Sequence, residues 1–195
     1  MTTATFKPRS AKEIAERIAR DIPEGWAVNL GIGQPTTIAD HVPADREVLF
    51  HSENGILGMG PAPSANEVDP WLVNAGKQPV TLRPGASLFH HADSFAMIRG
   101  QHLDLCVLGA YQVAANGDLA NWTVPDPSVI PGIGGAMDLA AGAKRIWIMM
   151  DHTTKQGEPK LVERCSYPLT AVGAVARVYT NLCVVDVTAR GFELV

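Results

Sequence analysis

Between His51 and Gly60 the chain reads His-Ser-Glu-Asn-Gly-Ile-Leu-Gly-Met-Gly, an apolar strand that throws out a carboxylate, Glu53, and continues as a glycine-rich, hydrophobic loop. A carboxylate there offers a nucleophile; taken by itself, its commoner roles are a helix cap or a surface charge. The stretch Gly31-Ile-Gly33-Gln-Pro-Thr36 nearly matches the turn that receives dinucleotide phosphates. It lacks the third glycine, so a tight strand-to-helix turn explains it as well. In Pro131-Gly-Ile-Gly-Gly-Ala-Met-Asp138 three glycines precede a helix start. They bare backbone N–H groups for an anion or a developing oxyanion, or they simply turn the chain. His90-His91 with Asp93 raises the question of a metal. Adjacent histidines on a strand point to opposite faces and no second ligand cluster is near, so no metal is expected. Asp151-His152 reads as a strand end with a hydrogen-bonded structural histidine. The chain has no Walker loop, H-E-x-x-H, EF-hand loop or G-x-S-x-G, and those enzyme classes lose support.

The elements that must position these residues follow from periodicity and punctuation. Ser10 and Glu13 form a capping-box pattern ahead of Ile14, Ile18 and Ile22, which predicts a helix ended by Pro23 and Gly25. Trp26 to Leu30 is a strand entering the glycine turn, and Thr36 to Val42 a helix after Pro35. Glu47 to Ser52 is a second strand, stopped by Asn54-Gly55. If these two strands are neighbours, Asn29, Gly31 and Glu53 converge beyond their carboxyl ends, where ligands of open α/β sheets gather, and Asn29 can orient the Glu53 carboxylate. The unalternating runs Leu103 to Ala110 and Arg145 to Met150 predict strands covered on both faces, each preceded by a short helix, Ala92 to Arg99 and Met137 to Ala143. A hairpin is expected around Asn116-Gly117, and three short strands at Ala176 to Tyr179, Cys183 to Val187 and Phe192 to Val195. No linker or repeat interrupts the chain. The expectation is one domain over residues 1–195, a three-layer α/β/α sandwich on a mainly parallel open sheet.

Composition agrees with that architecture. In 195 residues, 46% are hydrophobic and 18% charged, which argues against disorder, and 18 Gly with 14 Pro mark many turns without a collagen period. The net charge of −4 disfavours a nucleic-acid or anionic-membrane surface, so an anionic ligand must be held locally. Cys106, Cys165 and Cys183 are odd in number and widely spaced, which fits a reduced cytoplasm; no apolar stretch is long enough for a membrane span, and no secretory signal is expected.

Six segments in order, Val28–Gly33, Ser52–Gly58, Asn74–Lys77, Ala92–Gly100, Gly117–Trp122 and Gly134–Leu139, resemble the B subunit of 3-oxoacid coenzyme A-transferases over nearly the whole chain. Phe89–Phe95, Met149–His152 and Tyr167–Thr170 are most similar to the branch that acts on 3-oxoadipate. The resemblance implies ping-pong transfer of coenzyme A (CoA) from succinyl-CoA to the 3-oxoacid through a glutamyl-CoA thioester, with the nucleophile at Glu53. CoA is then a substrate and covalent intermediate, with no permanently bound cofactor. Asn29 would hold the nucleophile, the amides of Gly134, Gly135 and Ala136 would receive the oxyanion, and Gly31 and Gly33 would lie against CoA or substrate. Ile56, Leu57 and Met59 would keep the site dry. A second carboxylate on the acyl group needs a cation or donor; His90 and His91 are the candidates, with Lys77 and Arg99 behind them. The implied partner is a homologous A subunit, in a heterodimer that commonly pairs into α2β2. Other readings are transfer to acetoacetate or another 3-oxoacid, CoA thioester hydrolysis, and a non-catalytic subunit supporting an active partner.

Overall fold

Ser10 opens the first helix, α1 (Ala11–Asp21), as predicted: its hydroxyl accepts from the Glu13 N–H at 3.3 Å, and the Glu13 carboxylate accepts from the Ser10 N–H at 2.7 Å. The structure, a computed structural model, describes residues 7–126, 128 and 130–195. Ile14, Ile18 and Ile22 form the buried side of this helix and its end. After β1 (Ala27–Leu30) the expected α-helix is instead a 3-10 helix, Gln34–His41. The Thr36 and Thr37 hydroxyls donate to the carbonyls of Gly33 and Gln34 three residues back, and the Thr36 N–H also bonds Gly33 O. Threonine side chains competing for those carbonyls favour the tighter winding.

The chain then forms β2 (Leu49–Ser52), β3 (Ile56–Met59), β4 (Leu82–Leu88), α2 (His91–Arg99), β5 (Leu105–Leu108) and the small hairpin β6 (Gln112–Ala114) and β7 (Leu119–Ala120). It continues with α3 (Ala136–Gly142), β8 (Ile146–Met150), β9 (Leu161–Val162), β10 (Val175–Thr180), β11 (Val184–Thr188) and β12 (Gly191–Leu194). Nine strands make one sheet in the order β12-β11-β10-β8-β5-β1-β2-β3-β4. Its five central strands, β10, β8, β5, β1 and β2, are parallel, and an antiparallel pair flanks each side. The mainly parallel sheet thus holds for the centre, and both margins are antiparallel. The glycine-rich segment expected as a loop after Glu53 is strand β3, paired on both sides.

Alternation along the central strands sorts the core into two layers. Leu105, Val107, Trp147 and Met149 pack with α1 and the 3-10 helix. Cys106, Leu108, Ile146, Ile148 and Met150 pack with α2, α3 and residues of the second sheet, ordered β7-β6-β9. That is the α/β/α sandwich the sequence implied: β5 and β8 are covered on both faces, as their unalternating apolar runs require. No helix among the described residues is long and apolar enough to cross a membrane.

Candidate active site

β1 and β2 are parallel neighbours with Asn29 opposite His51. From β1 the chain moves to β2 on one side, whereas β5 pairs on the other. The strand order therefore reverses between β1 and β5, and the crevice beyond their carboxyl ends is where such sheets take ligands. A cavity of about 410 Å³ lies there, lined among others by Gly31, Glu53, Gly109, Gly135, Asp151 and Lys160.

Glu53 enters this cavity from the three-residue loop between the Ser52–Ile56 pair of β2 and β3. The loop closes with the Gly55 N–H donating to Ser52 O at 2.9 Å. Gly55 has φ 117°, and a Cβ would stand 2.1 Å from Phe89 O, so no side chain fits. Both neighbours of Glu53 are tied down: Ser52 Oγ accepts from the Ala75 N–H at 3.0 Å, and Asn54 Nδ2 donates to Val73 O at 2.7 Å. Burial lifts the Glu53 carboxyl above its ordinary pKa; the charge of His91 draws it back, and Asp138 adds to the rise. A less solvated, more basic carboxylate is the better nucleophile once ionised.

The entry to α3 forms the facing wall. A Cβ on Gly135 would lie 2.8 Å from Glu53 Oε2 and 2.9 Å from Phe95 Cζ, so the carboxylate rests directly on this glycine. Among the described residues the Gly134 and Gly135 N–H groups have no backbone partner, whereas the Ala136 N–H donates to Ile133 O at 3.2 Å. Of the three amides expected to receive an oxyanion, Ala136 spends its proton on closing the turn into the helix, and those of Gly134 and Gly135 have no backbone acceptor among the described residues.

Asn29 does not hold Glu53. Its Nδ2 donates to His51 Nδ1 at 3.0 Å and lies 3.3 Å from His51 O, while its Oδ1 accepts from the Cys106 thiol at 3.5 Å. With Nδ1 accepting, the His51 proton sits on Nε2 and donates to Ser94 Oγ at 2.9 Å. Cys106, Asn29, His51 and Ser94 thus form a buried polar chain from β5 across β1 and β2 to α2, behind the loop that carries Glu53. Desolvation pushes the His51 pKa down to about 4, so the ring is neutral at ordinary pH. Asn29 acts on Glu53 at one remove, by fixing the strand end that carries it.

The histidine pair is not on a strand. His90 caps α2, its Nδ1 accepting from the Ala92 N–H at 3.1 Å, and His91 begins that helix with its ring 4.7 Å from Phe95. His91 is close enough to influence Glu53, but neither histidine lines the cavity. Gly31 lines it and Gly33 does not; Gly33 turns the chain at φ 95°. Arg99 pairs with Asp138 at 2.7 Å across the face of Phe95, and Lys77 lies in the turn after Asn74, its N–H bonded to Asn74 O. Ile56 and Met59 belong to the core on the α1 side, so the apolar lining comes instead from Leu30, Ile32, Leu108, Ile133, Leu139 and Met149. The sequence reading missed His51, Ser94 and Lys160. Only His51 left a trace, standing on β2 two residues before Glu53.

A sheet that reverses its order beside a half-buried carboxylate, with free amides opposite, is a frame for acyl chemistry on an enzyme side chain, and the coenzyme A transferase family model matches residues 11–194. The chain belongs to that family. It is 58% identical over 183 residues to the B subunit of the 3-oxoadipate CoA-transferase of Acinetobacter baylyi, covering 94% of this chain and 84% of that one. It is 57% identical over 189 residues to the equally named polypeptide of Pseudomonas putida, covering 97% and 88%. It is also 50% identical over 182 residues to the B subunit of the succinyl-CoA:3-ketoacid coenzyme A transferase of Helicobacter pylori, covering 93% and 87%. Among solved structures, an acyl-CoA transferase apoenzyme from Escherichia coli O157:H7 superposes with a TM-score of 0.74 at 19% identity over 99% of this chain, which spans 39% of that longer one. The glutaconate coenzyme A-transferase of Acidaminococcus fermentans gives 0.61 at 16% identity, covering 95% and 78%.

Proposed function

We propose that this chain is the B subunit of a CoA-transferase that carries CoA from succinyl-CoA to 3-oxoadipate through a glutamyl-CoA thioester on Glu53. The observation that carries the reading is the Glu53 carboxylate lying against Gly135 in a cavity whose wall bears two unpartnered amides. The names of the relatives at 57–58% identity support the acceptor.

A Glu53 oxygen attacks the thioester carbonyl of succinyl-CoA, and collapse of the tetrahedral adduct expels CoA thiolate and leaves a succinyl-glutamyl anhydride. The thiolate attacks the Glu53 acyl carbon, breaking its bond to the bridging oxygen, so succinate departs and CoA is held as a thioester. The carboxylate of 3-oxoadipate then repeats both exchanges in reverse, releasing 3-oxoadipyl-CoA and the free Glu53 carboxylate. No proton has to be moved, so the buried His51–Ser94 pair behind Glu53, in which the ring donates to the hydroxyl, is not needed as base and nucleophile. An anhydride stays as reactive as the thioester, so the transfer energy is kept. Gly134 and Gly135 N–H groups receive each developing oxyanion, each donor worth about 10²- to 10³-fold in rate. The apolar lining keeps water from intercepting the acyl group.

This chain works with a homologous A subunit that supplies part of the CoA and oxyanion sites, in a heterodimer that pairs into α2β2, within the reducing cytoplasm that its free cysteines suit. Residues 1–195 act as one unit in that assembly. The test is intact-mass and peptide mapping of the reconstituted pair after succinyl-CoA. The expected result is one CoA adduct on the peptide containing Glu53, none with Glu53→Gln, and no turnover by this chain alone. Undiminished turnover by Glu53→Gln, or free CoA release at the full rate without acceptor, overturns the reading.

A further inference from the structure

We propose that Lys160 forms the subsite for the second carboxylate of a dicarboxylic acyl group and so sets the preference for dicarboxylates over monocarboxylates. The inference rests on the transferase reading above and deepens it. Among the described residues Lys160 is the one cationic side chain lining the Glu53 cavity.

Its backbone is fixed on both sides. The Lys160 N–H donates to His152 O at 3.1 Å, and its carbonyl accepts from the Val113 N–H at 2.9 Å. The excursion after β8 closes on itself through the Thr153–Pro159 bridge and so returns Lys160 beside Asp151 at the carboxyl end of that strand. The ammonium group takes part in none of the ion pairs among the described residues. Burial lowers its pKa and the charge of Asp151 only partly offsets this, the state of a cation short of an anion. A carboxylate entering the cavity supplies one. Without Lys160 the same region presents the carboxylates of Glu53 and Asp151 alone, which repel a dianion more than a monoanion. His90 and His91, the groups expected for this task, are engaged in capping α2 and packing on Phe95.

The test uses the complete two-subunit enzyme with Lys160→Met, Lys160→Gln or Lys160→Arg in this chain. The enzyme–CoA thioester is formed from acetoacetyl-CoA, and its discharge by 3-oxoadipate is timed against discharge by 3-oxohexanoate, an acid of equal length with one carboxylate. The neutral variants should lose roughly 10- to 100-fold in rate with 3-oxoadipate, the range for one charge-assisted hydrogen bond, and under about 3-fold with 3-oxohexanoate. Lys160→Arg should recover most of the 3-oxoadipate rate. Equal losses with both acceptors, no loss with either, or failure of the neutral variants to load from acetoacetyl-CoA overturns the proposal. If the unaltered enzyme forms no thioester at all, the transferase reading itself has failed.

Discussion

Protonating His51 should cost the fold stability over a defined range of acid pH. The ring is fully buried, with Nε2–H donating to Ser94 and Nδ1 accepting from Asn29; a second proton, on Nδ1, leaves the first bond in place but sets an N–H against the Asn29 amide donor. In the unfolded chain the imidazole titrates near its ordinary 6.5, while burial holds it down to about 4 in the folded protein. Below pH 6.5 the unfolded state therefore binds a proton that the folded state refuses, so this stability is complete above 6.5 and declines as pH falls toward 4. Across about 2.5 pH units at about 1.4 kcal/mol each, the loss is about 3 kcal/mol. Other groups titrate in the same range, so the informative quantity is a difference. The assay is urea denaturation of the wild-type protein and of His51→Gln, which does not titrate, from pH 7 to pH 4.5. The stability gap should narrow by about 2 to 3 kcal/mol over that interval, and ring 15N shifts at pH 6 should report a neutral Nε2–H tautomer. A gap that stays constant with pH, or a ring that titrates above 6, refutes the reasoning.

Gly135→Ala forces a methyl to within 2.8 Å of Glu53 Oε2 and 2.9 Å of the Phe95 ring. It should lower turnover at least 100-fold while leaving the folded content, read by circular dichroism, unchanged, since a displaced nucleophile loses its alignment before the fold loses its core. Burial pushes the Cys106 thiol well above its ordinary pKa, and the residue is fully enclosed. N-ethylmaleimide at pH 7.5 should therefore label Cys165 or Cys183 in the native protein and reach Cys106 only after denaturant is added, as peptide mass mapping will show.

What was legible in the sequence was whatever short-range pattern alone decides. Ser10 and Glu13 announce α1 because both partners of the capping box lie within one turn, and the runs at β5 and β8 announce covered strands because they are apolar on both faces. β4 escaped because Pro84 and Gly85 interrupt it, and an edge strand tolerates a proline that an inner strand would reject. β3 escaped because Gly58 spoils its pattern at an irregularity of register with β4. At the site, Glu53 and the glycines before α3 were singled out by local spacing and the family resemblance, and the fold sets them against each other. The assignment of Asn29 to Glu53 failed for a physical reason: its amide is satisfied by His51, 22 residues on, and a strand sequence does not state which buried polar group takes which partner. Lys160 was invisible for the same reason, since only the closure of the excursion after β8 brings it to the cavity.

The sheet changes grain beside Glu53, for β2 is the last parallel strand and β3 the first antiparallel one. A parallel connection needs a crossover of a dozen or more residues and absorbs insertions readily, whereas this antiparallel corner turns in three and is gripped on either side. Glu53 is thus mounted at one of the least extensible points of the chain. Evolutionary lengthening should accumulate in the stretch between β3 and β4 and in the excursion ahead of Lys160, reshaping the surroundings of the cavity while the Glu53 corner keeps its length.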